Sequence, residues 1–183
     1  VDVPLLESLV ARLEAQLGFG LAWVANDDEH ALEIELPFLQ RALAKPFALL
    51  PIMLRDQGLP TAGALGFALA ALIKEEPLLQ GKQVLLVAST DLSHFYPQPT
   101  AEKLDALMLQ AVADFDPEAV IRLEEQGKAF ACGRGAVAAV LFAARELGAD
   151  RVQVLSHATS GDVSGDYSRV VGYGAAAVLR SCR

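Results

Sequence analysis

The stretch Val84-Leu-Leu-Val-Ala-Ser-Thr-Asp-Leu-Ser-His-Phe95 constrains the fold more than any other part of the chain. Its apolar run, Val84 to Ala88, follows Gly81-Lys82 and does not alternate with polar residues. That pattern predicts a central strand buried on both faces. The run stops at Ser89-Thr90 and delivers Asp91 and His94 into a loop. Ligands of open α/β sheets sit at the carboxyl ends of the strands, which makes this carboxylate and imidazole candidates for chemistry. The plainer expectation is that Asp91 caps a turn and His94 packs at the surface.

The rest of the chain supplies elements to surround such a strand. Helices are predicted over Pro4 to Leu17, where Leu5, Leu9, Leu13 and Leu17 recur at helical spacing, and over the Ala-rich Pro60 to Lys74. In the latter, Gly63 and Gly66 would let the helix pack closely on the sheet. Asn26-Asp27-Asp28 starts another helix, rich in carboxylates at its N-terminus, with His30 and Glu33 on one face and a kink or restart at Pro37. Pro99-Thr100 opens a helix with Leu104, Leu107, Met108, Ala111, Val112 and Phe115 on its apolar face, Met108 serving as core filler. Asp116-Pro117 caps a short helix to Glu125, and Ala131-Cys-Gly-Arg-Gly135 leads into a helix through Leu147. Further strands are expected at Leu21 to Ala25, Phe47 to Leu54, Arg151 to Ser156 and Val170 to Leu179, with a polar loop from Ser160 to Asp166. Alternating strands and helices imply an α/β fold. The expected architecture is a mixed, mostly buried sheet flanked by helices, some of its pairing antiparallel near the end, in one domain over residues 1–183.

Composition excludes several classes of function. A net charge of −8 without a basic stripe argues against nucleic acid. No apolar run reaches the roughly 20 residues of a membrane span. The chain starts Val-Asp-Val with no secretory signal in view, as a processed or truncated chain would. Cys132 and Cys182 form neither a metal-type pair nor a disulfide framework. The expected compartment is the cytoplasm. Ser160-Gly-Asp-Val-Ser-Gly-Asp166 precedes a strand and lacks the lysine of a phosphate loop, and its Asp162 and Asp166 lack the calcium-loop pattern.

Cys132 stands before a glycine-flanked helix start, where orphan amides favour a thiolate; the plainer reading is a small buried hydrophobe. His30, His94 and His157 each lie beside acidic or hydroxyl residues. With Asp91 and Cys132 they suggest one polar pocket for a soft-to-borderline metal.

Four segments carry a family resemblance: Asp28-Glu-His-Ala-Leu-Glu-Ile-Glu-Leu-Pro-Phe38, Ser89-Thr-Asp-Leu-Ser-His94, Ala131-Cys-Gly-Arg134, and Thr159-Ser-Gly-Asp-Val-Ser-Gly-Asp166 with Val170-Val-Gly-Tyr173. In this order, they resemble the Memo family, whose bacterial and archaeal members are called protein B of the AmmeMemoRadiSam system. That family is similar in fold to the class III extradiol dioxygenases of the LigB type, which use non-haem iron. The resemblance implies that His30, Asp91, His94 and Cys132 line one pocket, with Cys132 as the metal-binding cysteine. It carries no ligand role to His157. The family's two metal-ligand histidines belong to N-terminal segments, Pro-His-Ala-Gly-Tyr and Gly-Pro-x-His-His, that this sequence lacks.

The expected function is thus a Memo-like protein with a metal-type His/Asp/Cys pocket and an undefined reaction, its enzyme reading being a non-haem iron or copper oxidoreductase of dioxygenase type on an unknown substrate. In it His94 is the acid–base, Asp91 and His30 assist, and Cys132 binds metal. The alternatives are a non-catalytic protein holding a small molecule or peptide in the same pocket, and a purely structural domain. No metal is expected on this chain alone, since one thiolate is a poor site. A Memo-like sheet without its first strands would expose an edge and associate with itself or with a separate N-terminal chain.

Overall fold

The computed structural model describes residues 3–25 and 28–181. The α/β class holds, with helices packed against an antiparallel sheet of three strands. In chain order the elements are α1 (Val3–Leu17), α2 (Leu36–Ala42), α3 (Leu59–Glu75), a 3₁₀ turn at Pro77–Leu79, β1 (His94–Tyr96), α4 (Gln98–Ala113), α5 (Pro117–Glu125), α6 (Arg134–Glu146), β2 (Arg151–Thr159), α7 (Gly161–Ser164) and β3 (Val170–Leu179). The sheet runs β1-β3-β2.

The helices form because their apolar residues recur on one face. Leu9 and Leu13 of α1 are buried, Leu13 packing with Leu65 and Leu69 of α3. The close approach anticipated at Gly66 is real, but its partner is a helix rather than the sheet. A Cβ there would lie 2.6 Å from Phe142 Cβ and 2.7 Å from the Ala139 carbonyl, both on α6. Helix α6 is the hub. Its Leu141 packs with Met108 and Val112 of α4 and Val120 of α5, while Ala139 and Ala143 face α3. Burying a side chain such as Leu141 contributes about 1.5–3 kcal/mol. The Asp116 side chain accepts the Ala119 amide at 2.8 Å and Pro117 takes the first turn, which fixes the start of α5.

On α4 the buried face is Ala101, Asp105, Met108, Ala111 and Val112, whereas Leu107, expected inside, is exposed. Gly172 and Gly174 lie two apart on β3, on one side of the strand, and make room for α4. A Cβ at Gly172 would overlap the Asp105 carboxylate, and one at Gly174 would lie 2.8 Å from Leu109, a turn further along α4. On β2 an irregularity between Val154 and Ser156 inserts Leu155 as a bulge. An extra residue reverses the alternation of faces. Val152 therefore packs on the core before the bulge, and His157 and Thr159 point toward α4 after it.

The strand predictions fail in the first half of the chain. Val84 to Ala88 is not a strand buried on both faces; it joins no ladder among the described residues, and Leu85 is 67% exposed. Leu21 to Ala25 and Phe47 to Leu54 likewise form no strand. A strand exists through its hydrogen-bonded neighbours, and apolar content alone does not make one. The helix expected from Asp28 is a series of turns over 31–35, and the helix restarts at Pro37. The helical spacing that was to pair His30 with Glu33 is therefore absent. Asn26, Asp27 and Cys182 lie outside the described residues. Among those described, no helix is long and apolar enough to cross a membrane.

Candidate functional site

The segment 89–94 hooks onto β3. The Leu92 amide donates to the Gly172 carbonyl at 2.9 Å, and the Gly172 amide donates to the Ser93 carbonyl at 2.8 Å. The Ser93 amide donates to Asp105 Oδ1 at 2.9 Å. Ser93 is thus held from both sides, with Asp91 two residues before it and His94 next after it. His94 opens β1, opposite Val171. Phe95 follows with φ 64°, a left-handed conformation that costs a non-glycine residue about 1–2 kcal/mol. Its ring lies outside, beside the His94 ring (centroids 5.7 Å apart) and under the Arg169 guanidinium at 5.4 Å. Strain of this kind gathers at functional sites.

Asp91 and Cys132 are tied reciprocally. The Cys132 amide donates to the Asp91 carbonyl at 3.2 Å, and the Asp91 amide points at Cys132 Sγ at 3.1 Å. An amide aimed at sulfur is a partner that a thiolate accepts more strongly than a thiol does. Thr90 Oγ1 accepts the Gly133 amide at 2.8 Å and stands 3.7 Å from the sulfur. Cys132 is exposed, which removes the reading of it as a buried hydrophobe. His94 Nε2 lies 3.6 Å from Asp91 Oδ2, at ion-pair rather than hydrogen-bond distance. Acid–base pairs often sit this loosely without ligand.

These residues border an open cleft of about 240 Å³ lined by Leu92, His94, Tyr96, Glu124, Phe130, Ala131 and Cys132. Tyr96 and Phe130 form its aromatic wall, their centroids 5.7 Å apart. Glu124 is engaged: it accepts the Ala131 amide at 3.1 Å and is paired with Arg134. The structure therefore brings Asp91, His94 and Cys132 together. His30 is elsewhere. It sits on the exposed turn before α2, with Nδ1 3.3 Å from the Asp28 carbonyl, and makes no hydrogen bond or ion pair with those three. The turn is joined to the loop that carries the site at Ser89, whose Oγ donates to the Ala31 carbonyl at 2.9 Å.

Several residues that hold the site were not singled out by sequence. Gln57 reaches from the loop before α3 to donate to the Cys132 carbonyl at 2.9 Å and accept the Gly135 amide at 3.0 Å. Just before it, Asp56 is held below the ordinary carboxylate value by the Thr61 hydroxyl and then the Gly58 amide, with a smaller contribution from Arg134. Asp105 carried a readable signal: it falls in step with Ala101, Met108 and Val112 on the buried stripe of α4. Nothing in the local sequence of Gln57 or Thr90 announces their reach.

The metal expectation meets a plain test in the donor set. Among the described residues no cluster of three or more His, Cys, Asp or Glu side chains is placed to hold a metal ion. Asp91 and His94 face one another, leaving Cys132 as the single soft donor. These residues alone do not fit a first-row metal.

Comparison with known proteins agrees with the motifs. The family model described as Memo-like protein matches residues 1–177. A MEMO1 family protein of Methanococcoides burtonii is 41% identical over 152 residues, covering 83% of this chain and 56% of that protein. One from Nitrosopumilus maritimus is 38% identical over 151 residues (82% and 53%), and one from Methanosarcina acetivorans is 37% identical over 175 residues (93% and 64%). The chain spans little more than half the length of the curated relatives it matches. With its motifs in order and a family model matched along nearly its whole length, the chain belongs to the Memo-like family.

Proposed function

We propose that this chain supplies the proton-handling and thiol side of a small-molecule redox site, which donors from outside these residues complete. The observation that carries the reading is the reciprocal Asp91–Cys132 lock with His94 beside it on an open cleft. In this reading His94 exchanges a proton with an oxygen of the bound ligand, and Asp91 orients the imidazole and balances its charge when protonated. Cys132 offers a sulfur already supplied with an amide donor. Tyr96 and Phe130 exclude water from one side of the ligand. Iron or copper belongs to this proposal only where further donors join Cys132. An exposed unpaired thiol fits a reducing compartment, and we place the chain in the cytoplasm.

Calorimetric titration of the chain with Fe²⁺, Cu⁺ and Zn²⁺ tests the division of labour. We expect binding no tighter than about micromolar, as for one unsupported thiolate. Tighter binding that disappears in Cys132→Ser would mean that the site is complete within this chain, and the proposal would fall.

A further inference from the structure

We propose that Asp105 is the positioning residue of this site, acting through the Ser93 amide, with His157 holding its second oxygen. The proposal deepens the reading above, since it concerns what orders the Asp91–His94 loop.

Asp105 is fully buried on α4. Burying a carboxylate is costly unless its oxygens are satisfied, and both are. Oδ1 accepts the Ser93 amide at 2.9 Å, and Oδ2 lies 2.8 Å from His157 Nε2. As glue between helix and sheet, an apolar side chain of similar size would serve as well or better. What an apolar side chain cannot do is accept the Ser93 amide, which lies in the chain between Asp91 and His94. Asp105 does not line the cleft, so its effect on ligand passes through the backbone.

Two independent features accommodate this carboxylate. Gly172 has no side chain where a Cβ would overlap it. The bulge at Leu155 reverses the face of β2 and so brings His157 to it. Gly172 also makes the two backbone bonds that clasp Leu92 and Ser93. One carboxylate thereby joins α4, β2 and β3 to the loop that carries Asp91 and His94. Asp91 in turn presents its amide to Cys132 Sγ, so the order of that loop reaches the thiol.

The test reads the loop and the thiol without any metal, so its outcome is separate from the calorimetric one. Asp105→Asn keeps the shape and an acceptor but loses the charge, and charge-assisted bonds are roughly twice as strong as neutral ones. Amide hydrogen exchange at Ser93 is expected to rise about three- to tenfold, with the β2–β3 ladder unchanged. Labelling of Cys132 by iodoacetamide at fixed pH is expected to change at least about twofold, because the Asp91 amide moves relative to the sulfur. Asp105→Leu, where it folds, should exceed Asp105→Asn in both readouts; if it does not fold, Asp105→Asn decides alone. Unchanged Ser93 exchange in Asp105→Asn would overturn the proposal. So would unchanged labelling, or a rise spread evenly over the whole ladder, which is the mark of a merely structural pair.

Discussion

Two regions of this molecule are built from similar residues and reach different ends. From β1 to β3 many apolar residues find partners: Met108, Val120, Ala131 and Leu141 are each nearly or wholly removed from solvent, while Leu107, Leu155 and Val163 stay exposed. In the earlier segments 19–25, 47–54 and 84–88, Leu21, Ile52, Leu54 and Leu86 are partly buried against the α1–α3 cluster, while their apolar neighbours stay open. Trp23, Phe47, Leu85 and Val87 are all exposed, and none of these segments joins a ladder among the described residues. Helix α1 shows that the difference is not simply one of position, since Leu13 is fully buried against α3. Burial here follows the presence of an opposing face, which composition does not report. The site lies on the seam: its loop leaves the open region after Ala88 and is fastened by the closed one at Leu92 and Ser93.

The largest expected contrast comes from making one substitution in both regions. Gly172→Ala drives a methyl into the Asp105 carboxylate, and relief means breaking a buried pair or shifting β3. We expect a loss of about 3–5 kcal/mol. Gly20→Ala meets nothing nearer than 3.7 Å, a flexible Glu14 oxygen, and should stay within about 0.5 kcal/mol. Urea unfolding of the two variants measures both. Equal effects would show that the closed region is no better packed than the open one.

The same contrast explains what was legible in the sequence. Helix α5 and strand β3 were read to the residue, because Asp116-Pro117 is a local start signal and Val170 to Leu179 pairs with a strand close by in sequence. Val84 to Ala88 was misread because a strand is a relation between segments, and an apolar run states only one side of it. The short β1, with its flipped Phe95, and the bulge at Leu155 carry no periodic signal. Asp91, His94 and Cys132 are legible as chemistry next to element ends, whereas the helix expected to pair His30 with Glu33 does not form there. Asp105 was hidden by reading the apolar stripe of α4 for its apolar members only.

The second prediction concerns the open face. Exposed apolar segments without ladder partners recruit other chains, and we expect concentration-dependent self-association of this chain. Leu85→Lys places a charge in the middle of an exposed apolar run, where Leu85 itself is 67% exposed. It should weaken association roughly tenfold, about 1.4 kcal/mol, while barely changing unfolding. Sedimentation velocity over a range of concentrations decides this. A chain that stays monomeric throughout, or a variant that associates as before, would show that this face attracts no partner of its own kind.

The smallest effect compares one carboxylate from each region. Asp56, in the loop before α3, and Asp166, after α7, are both solvent-exposed and both held below the ordinary value of 3.8. For each the leading cause is a nearby hydroxyl, that of Thr61 in the first turn of α3 or of Ser168, and the next is a backbone amide, of Gly58 or Ser168. The folded value lies below the unfolded one, so each contribution is fully present above about pH 3.8 and is lost as pH falls through the lower folded value. Thr61→Val and Ser168→Ala should each raise the midpoint of the neighbouring carboxylate, as followed by carboxyl carbon shifts in an NMR titration. An unmoved midpoint in either variant would remove the hydroxyl from the explanation. Salt then separates the two regions. Asp56 also feels the Arg134 charge from the neighbouring helix, whereas among the described residues no charged group contributes at Asp166. Screening acts on a charge across solvent and much less on a contact hydrogen bond. Raising ionic strength should therefore lift the Asp56 midpoint slightly and leave Asp166 in place. Equal movement of both would mean that Arg134, which starts the helix beside Cys132, does not reach across to the loop that carries Gln57.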